Sequence, residues 1–135
     1  MSQARFTSKA RWLLVLGVAA SACWLLAACR GGNSHDVYAV YTGGNWQRGK
    51  QLIVQYRCGA CHTIPGVYDA NGNVGPPLIW FAKRTYVGGV LPNSPPNLVR
   101  WLLDPKAVDP LTAMPDLGLN EQQARDIAAY LYTLQ

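Results

Sequence analysis

The sequence predicts a small all-α domain, about four helices wrapping a centre that the chain does not fill by itself. Three observations predict this. Helical periodicity appears three times after residue 45, whereas alternating Val/Ile/Thr runs bounded by hairpin turns are nearly absent. The stretch 45–135 is short, and much of it is Gly- and Pro-rich loop, so little core can come from the chain alone. Between the first helix and the longest loop stands a cysteine pair followed directly by a histidine.

Composition sets the outer limits. The chain has 135 residues, of which 14% are charged, with a formal net charge of +5. A charged fraction well below the usual ~25% argues against a disordered tail protein and against a highly charged nucleic-acid binder. Four cysteines are compatible with disulfides, a zinc site or a redox pair, and only their positions decide.

The N-terminal segment reads as an address. Arg5, Lys9 and Arg11 precede a run without charge from Trp12 to Cys29, the layout of a secretory signal. It ends in Leu26-Ala27-Ala28-Cys29, which resembles a bacterial lipobox. Residues 1–28 are therefore expected to be a lipoprotein signal peptide and Cys29 the lipidation site; the alternative is an uncleaved signal anchor. Cys23 falls inside the apolar run. Losing residues 1–28 removes Arg5, Lys9 and Arg11 but no acid, which leaves nine basic residues against seven acidic ones, or +2. Residues 29–44, with Gly31-Gly32-Asn33-Ser34 at one end and Gly43-Gly44 at the other, read as a flexible tether with an apolar middle, Val37 to Tyr41.

The domain proper spans 45–135. Its first helix is expected from Trp46 to Tyr56, capped by Asn45. Ser94-Pro95 opens a second, with Ser as cap and Pro at the first helical position, running through Leu98, Trp101 and Leu102 to a stop before Pro105. Asn120 opens the last, with Gln123 completing a capping box and Ala124, Ile127, Ala128, Leu131 and Leu134 on one face. A short fourth helix falls near Leu78 to Lys83.

Cys58-Gly59-Ala60-Cys61-His62 supplies the missing centre. A dithiol of the thioredoxin kind needs a βαβ context, which is absent. A zinc site needs four ligands, and there is no second cysteine pair. A disulfide across so short a gap constrains almost nothing. CxxCH is the attachment pattern for one covalent haem c, with His62 as an iron ligand. The second ligand is expected to be Met114, the one methionine besides Met1, lying in the loop Ala113-Met114-Pro115. His35 is the other candidate.

Together, Cys58 to His62, Gly75-Pro76-Pro77-Leu78, Met114-Pro115 and a last helix with Ala129-Tyr130-Leu131 resemble the class I c-type cytochromes, over the chain from Trp46 to its end. The resemblance implies that Gly49 of the first helix approaches Tyr130 of the last. It implies that Pro76 or Pro77 accepts a hydrogen bond from the iron-binding histidine. It implies further that Leu78, Trp80 and Phe81 line the pocket, with Arg84, Tyr86 and Trp101 near the propionates. The implied function is single-electron transfer at the periplasmic face of a bacterial inner membrane. Implied partners are a terminal oxidase, a quinol–cytochrome c oxidoreductase or a periplasmic dehydrogenase, and the implied role is carrier, not enzyme. Rival readings are a haem subunit of such a complex and a five-coordinate gas-binding or haem enzyme module. Lys50, Arg57, Lys83 and Arg84 are the first candidates for a docking face.

Overall fold

The computed structural model describes residues 34–135, with side chains from Val37 onward. Arg5, Lys9, Arg11, Cys23, Cys29 and the His35 side chain lie outside the described residues. The elements are α1 (Ser34–Thr42), α2 (Trp46–Gln55), a 3-10 turn (Cys58–Ala60), a second 3-10 turn (Phe81–Lys83), β1 (Tyr86–Val87), β2 (Leu91–Pro92), α3 (Pro95–Leu103), α4 (Pro105–Val108) and α5 (Glu121–Tyr132). Among the described residues, no helix is long and apolar enough to cross a membrane.

The helix caps follow the sequence closely. Asn45 Oδ1 accepts from the Arg48 N–H at the start of α2. Asn120 and Gln123 form the expected capping box at α5, each side chain accepting from the other's backbone N–H. Ser94 does occupy the cap position of α3, but its side chain makes no capping bond. Pro95 and Pro96 have no N–H, so the first turn offers fewer donors to cap. The expected helix near Leu78 shrinks to the turn Phe81–Lys83. A small antiparallel ribbon, with Tyr86 opposite Pro92 and Val87 opposite Leu91, is too short to leave an alternating pattern in sequence.

The 34–42 part of the expected flexible tether is the helix α1, not loose chain. Thr42 is almost fully buried, and its backbone oxygen accepts from Arg125 of α5 at 3.1 Å. Gly43 O accepts from Gln122 at 3.2 Å, and Tyr41 meets Tyr132 edge-on at 5.7 Å. The terminal Gln135 amide reaches the Tyr38 hydroxyl. An apolar middle between glycines read as a tether by composition alone; the last helix gives it a surface to fold upon.

The crossing of α2 on α5 is the most extensive helix contact. A Cβ on Gly49 would lie 1.9 Å from Asp126 O, and one on Gly44 would lie 2.1 Å from Arg125 O. Both positions therefore require glycine for close approach of backbone to backbone. Gly49 meets the α5 backbone at Asp126 and Ile127, one turn before Tyr130. Tyr130 donates its hydroxyl to Pro65 O at 2.7 Å and so ties α5 to the loop after the histidine.

Asp126 knots this crossing together. Its buried carboxylate accepts from Asn45 N at 2.7 Å, from Arg48 Nε at 2.8 Å and Nη2 at 3.0 Å, and from Gln122 at 3.0 Å. Burial pushes its pKa up, but Arg48, the Asn45 N–H and Gln122 together outweigh that and hold it below the usual carboxylate value.

Candidate functional site

Where a larger protein would have core, this one has a cavity of about 420 Å³. Ile53 of α2, Leu98 of α3 and Ile127 of α5, all nearly inaccessible to solvent, form part of its wall, so the crossed helices are its floor. Cys58, Cys61, His62, Pro76, Leu78, Trp101 and Met114 also line it.

The thiol pair reaches the cavity through a forced change of chain direction. Arg57, at φ 55°, is in the left-handed region directly after the α2 cap. That conformation is uncommon without glycine and costs on the order of 1 kcal/mol. It turns the chain out of α2 into Cys58–Ala60. Cys58 and Cys61 are not joined to each other. In the polypeptide alone, burial pushes the Cys58 thiol up to about 11.

His62 is oriented by the loop that follows it. Its Nδ1 lies 2.8 Å from Pro76 O. A carbonyl can only accept, so the proton sits on Nδ1 and Nε2 keeps its lone pair for a metal. Gly75 makes this possible, because a Cβ there would fall 2.3 Å from His62 Cε1. Further hydrogen bonds pull the loop back onto the cysteine turn: Gly72 N to Gly59 O at 3.0 Å, Gly75 N to Cys61 O at 2.8 Å and Leu78 N to Thr63 O at 2.8 Å. The long Gly/Pro-rich stretch is thus a clamp on the histidine.

Met114 enters from the other irregular segment, between α4 and α5, where its N–H donates to Thr112 Oγ1 at 3.2 Å. Of the aromatic and cationic candidates, Phe81, Arg84, Tyr86 and Trp101 all line the cavity. Trp101 is held by Gly88, at φ 58°, where a Cβ would strike the indole at 2.6 Å. Two expectations fail. Pro77 is not in the wall; its carbonyl accepts from Arg84, which is. Trp80 is 64% exposed and also outside the wall. A left-handed backbone at Trp80, φ 51°, swings its side chain out as it turns Phe81 in. Sequence reasoning overlooked Tyr56, Ile64, Val87 and Gly88 as wall residues. Only Tyr56 carried a signal, its place on the same helix face as Ile53.

These residues fit a haem. The wall is mostly apolar, the two thiols and the oriented imidazole share it, and the glycines at 75 and 88 let the His62 and Trp101 rings take their places in it. Among the described residues, no three His, Cys, Asp or Glu side chains gather into a metal-holding group.

Fold and cavity together define a small helical haem-binding electron-transfer domain. Residues 46–135 match the family described as Cytochrome c, and the chain belongs to that family. Its cofactor is one haem c, attached through Cys58 and Cys61, and the family's chemistry is haem-based electron transfer. The chain is also similar to "Cytochrome c oxidase subunit 2" of Alkalihalophilus pseudofirmus, 29% identical over 89 residues. That match covers 65% of this chain but 25% of the relative, so the shared part is a minor portion of the larger protein.

Proposed function

We propose that this chain is a membrane-anchored c-type cytochrome that passes single electrons between respiratory partners at the periplasmic face, a terminal oxidase among them. The observation that carries it is the convergence of Cys58, Cys61, His62 and Met114 on one apolar cavity, with His62 already committed through Nδ1 to Pro76. When bound, haem c supplies the one-electron couple. The chain's residues do the rest. His62 Nε2 and Met114 Sδ would hold the haem iron, a ligand pair that would raise the potential and suit electron transfer. Pro76 fixes the imidazole's rotation and tautomer. Ile53, Leu98 and Ile127 exclude water, and Arg84, Tyr86 and Trp101 are placed to meet the propionates. Ligation by both His62 and Met114 would leave no open position for a substrate, which supports the reading as a carrier.

Anchoring rests on the sequence before the described residues: a signal over 1–28, lipid on Cys29, and residues up to 33 as linker to the domain of 45–135. The similarity to part of an oxidase subunit supports a second reading, in which the chain is a fixed haem subunit of such an oxidase. Co-purification in mild detergent separates the two.

The test of the ligand set is spectroscopic. Reduced holoprotein should bind carbon monoxide slowly at neutral pH, and Met114→Ala should bind it rapidly, with a lowered potential. A Met114→Ala variant with unchanged oxidised spectrum and potential would overturn the assignment and favour the gas-binding reading.

A further inference from the structure

α1 has two faces of different character. Tyr38 and Thr42 turn inward, with Thr42 nearly inaccessible. Val37, Val40 and Tyr41 recur at i, i+3 and i+4 and so share one stripe; they are 65%, 89% and 60% exposed. Val37 and Val40 are left open to solvent among the described residues, and Tyr41 flanks them with one edge of its ring on Tyr132.

The occupant follows from the chain upstream. The uncharged run from Trp12 ends at Cys29, and Ser34 opens α1. Five residue steps separate them, about 17 Å at full extension. Whether Cys29 carries lipid or the run stays in the bilayer, α1 begins within that distance of the membrane. Arg125, Gln122 and Tyr132 of α5 hold the end of α1 to the domain, so the domain stays near the membrane with it. An apolar helical stripe kept this close to a bilayer has lipid as its nearest apolar partner, and tyrosine suits the headgroup level.

We propose that the Val37–Val40–Tyr41 face of α1 lies in the lipid interface and sets the orientation of the haem domain on the membrane. α1 packs against α5 through Gln122, Arg125 and Tyr132, whereas Ile127 and Leu131 of α5 line the haem cavity. α5 then stands between the lipid and the cavity, which is left to a partner approaching from the aqueous side. This goes beyond the electron-carrier reading but rests on the membrane attachment proposed with it.

The test uses the full chain, haem-loaded, in phosphatidylethanolamine–phosphatidylglycerol vesicles, with p-benzoylphenylalanine replacing Val40. A control replaces Leu111, which is 94% exposed and far along the chain. Both positions are at the surface, and an unchanged haem absorption spectrum checks the fold. On irradiation, position 40 should give lipid adducts at several times the yield of position 111. Equal yields with the protein still floating with vesicles would overturn the orientation and leave the anchoring intact. A covalent dimer through position 40, in place of lipid adducts, would assign the face to a second copy and overturn the proposal. Failure to float would overturn both the anchoring and the lipid contact, while leaving the Met114 spectroscopy unaffected.

Discussion

The two sides of this domain are built on different principles. At the crossing of α1, α2 and α5, the polypeptide completes itself. Backbones touch at Gly44 and Gly49, and a buried carboxylate uses up its neighbours' donors. On the cavity side, from Cys58 to Val90 and from Asp104 to Leu119, most of the chain is irregular and is held by scattered hydrogen bonds such as those of Tyr130, Asn93 and Leu78. There the centre is left open for a cofactor. A chain this short can afford one self-sufficient seam, and the haem must supply the rest of the core.

The comparison breaks most completely if the cofactor is withheld. Without the cofactor, a cavity of about 420 Å³ leaves Ile53, Leu98 and Ile127 without a partner on that side, and a domain's whole stability is only about 5–15 kcal/mol. Cys58→Ser/Cys61→Ser, purified without haem, should show no cooperative thermal transition; a sharp one would mean that the helical seam stands alone.

Next in size is the seam itself. Gly49→Ala puts a methyl against the Asp126 carbonyl and should cost about 3 kcal/mol, as overpacking does, read as a lowered denaturant midpoint in the holoprotein.

Asp126→Asn should cost about 2 kcal/mol, because Arg48 and Asn45 lose a charged acceptor. It also carries a pH signature. The folded pKa of Asp126 is lowered, so its contribution is full above the unfolded value near 3.8 and is lost as pH falls through the lower folded value. The Asn variant should therefore lose less stability than the native chain below pH ~4; parallel acid limbs would remove Asp126 from the account.

Tyr132→Phe is a smaller probe of how the two sides join. The Tyr132 hydroxyl donates to Asn93 Oδ1 at 2.8 Å, and Asn93 in turn donates to Phe81 O and Arg84 O. Loss of one such bond should cost about 1 kcal/mol, seen as a small drop in melting temperature. The least effect on stability is expected from neutralising Lys50, Arg57 and Lys83 together, with Arg84 left in place on Pro77 O. That change should flatten the salt dependence of electron transfer to a partner; an unaltered dependence would place the docking face elsewhere.

How much of this was legible beforehand follows the range of the interaction. Cys58, Cys61 and His62 are a covalent pattern within five residues, and Met114 stood out as the one methionine in a proline-bounded loop. Asn45, Asn120 and Gln123 act on donors three residues away, and proline acts on its own turn, so these too could be read directly. Contacts between distant segments could not. Nothing near Asp126 in sequence names Asn45 or Arg48, some 80 residues off, as its partners. The choice of Pro76 over Pro77, the outward turn of Trp80 and the folding of 34–42 into α1 likewise depend on what lies across the fold. The sequence by itself determined the cofactor, its attachment and the helices that frame it, because those are short-range chemistry. The tertiary structure decided which glycine meets which backbone, which side chains face the cavity and where the N-terminal helix rests. Those outcomes are set by packing between surfaces that only the folded chain brings together.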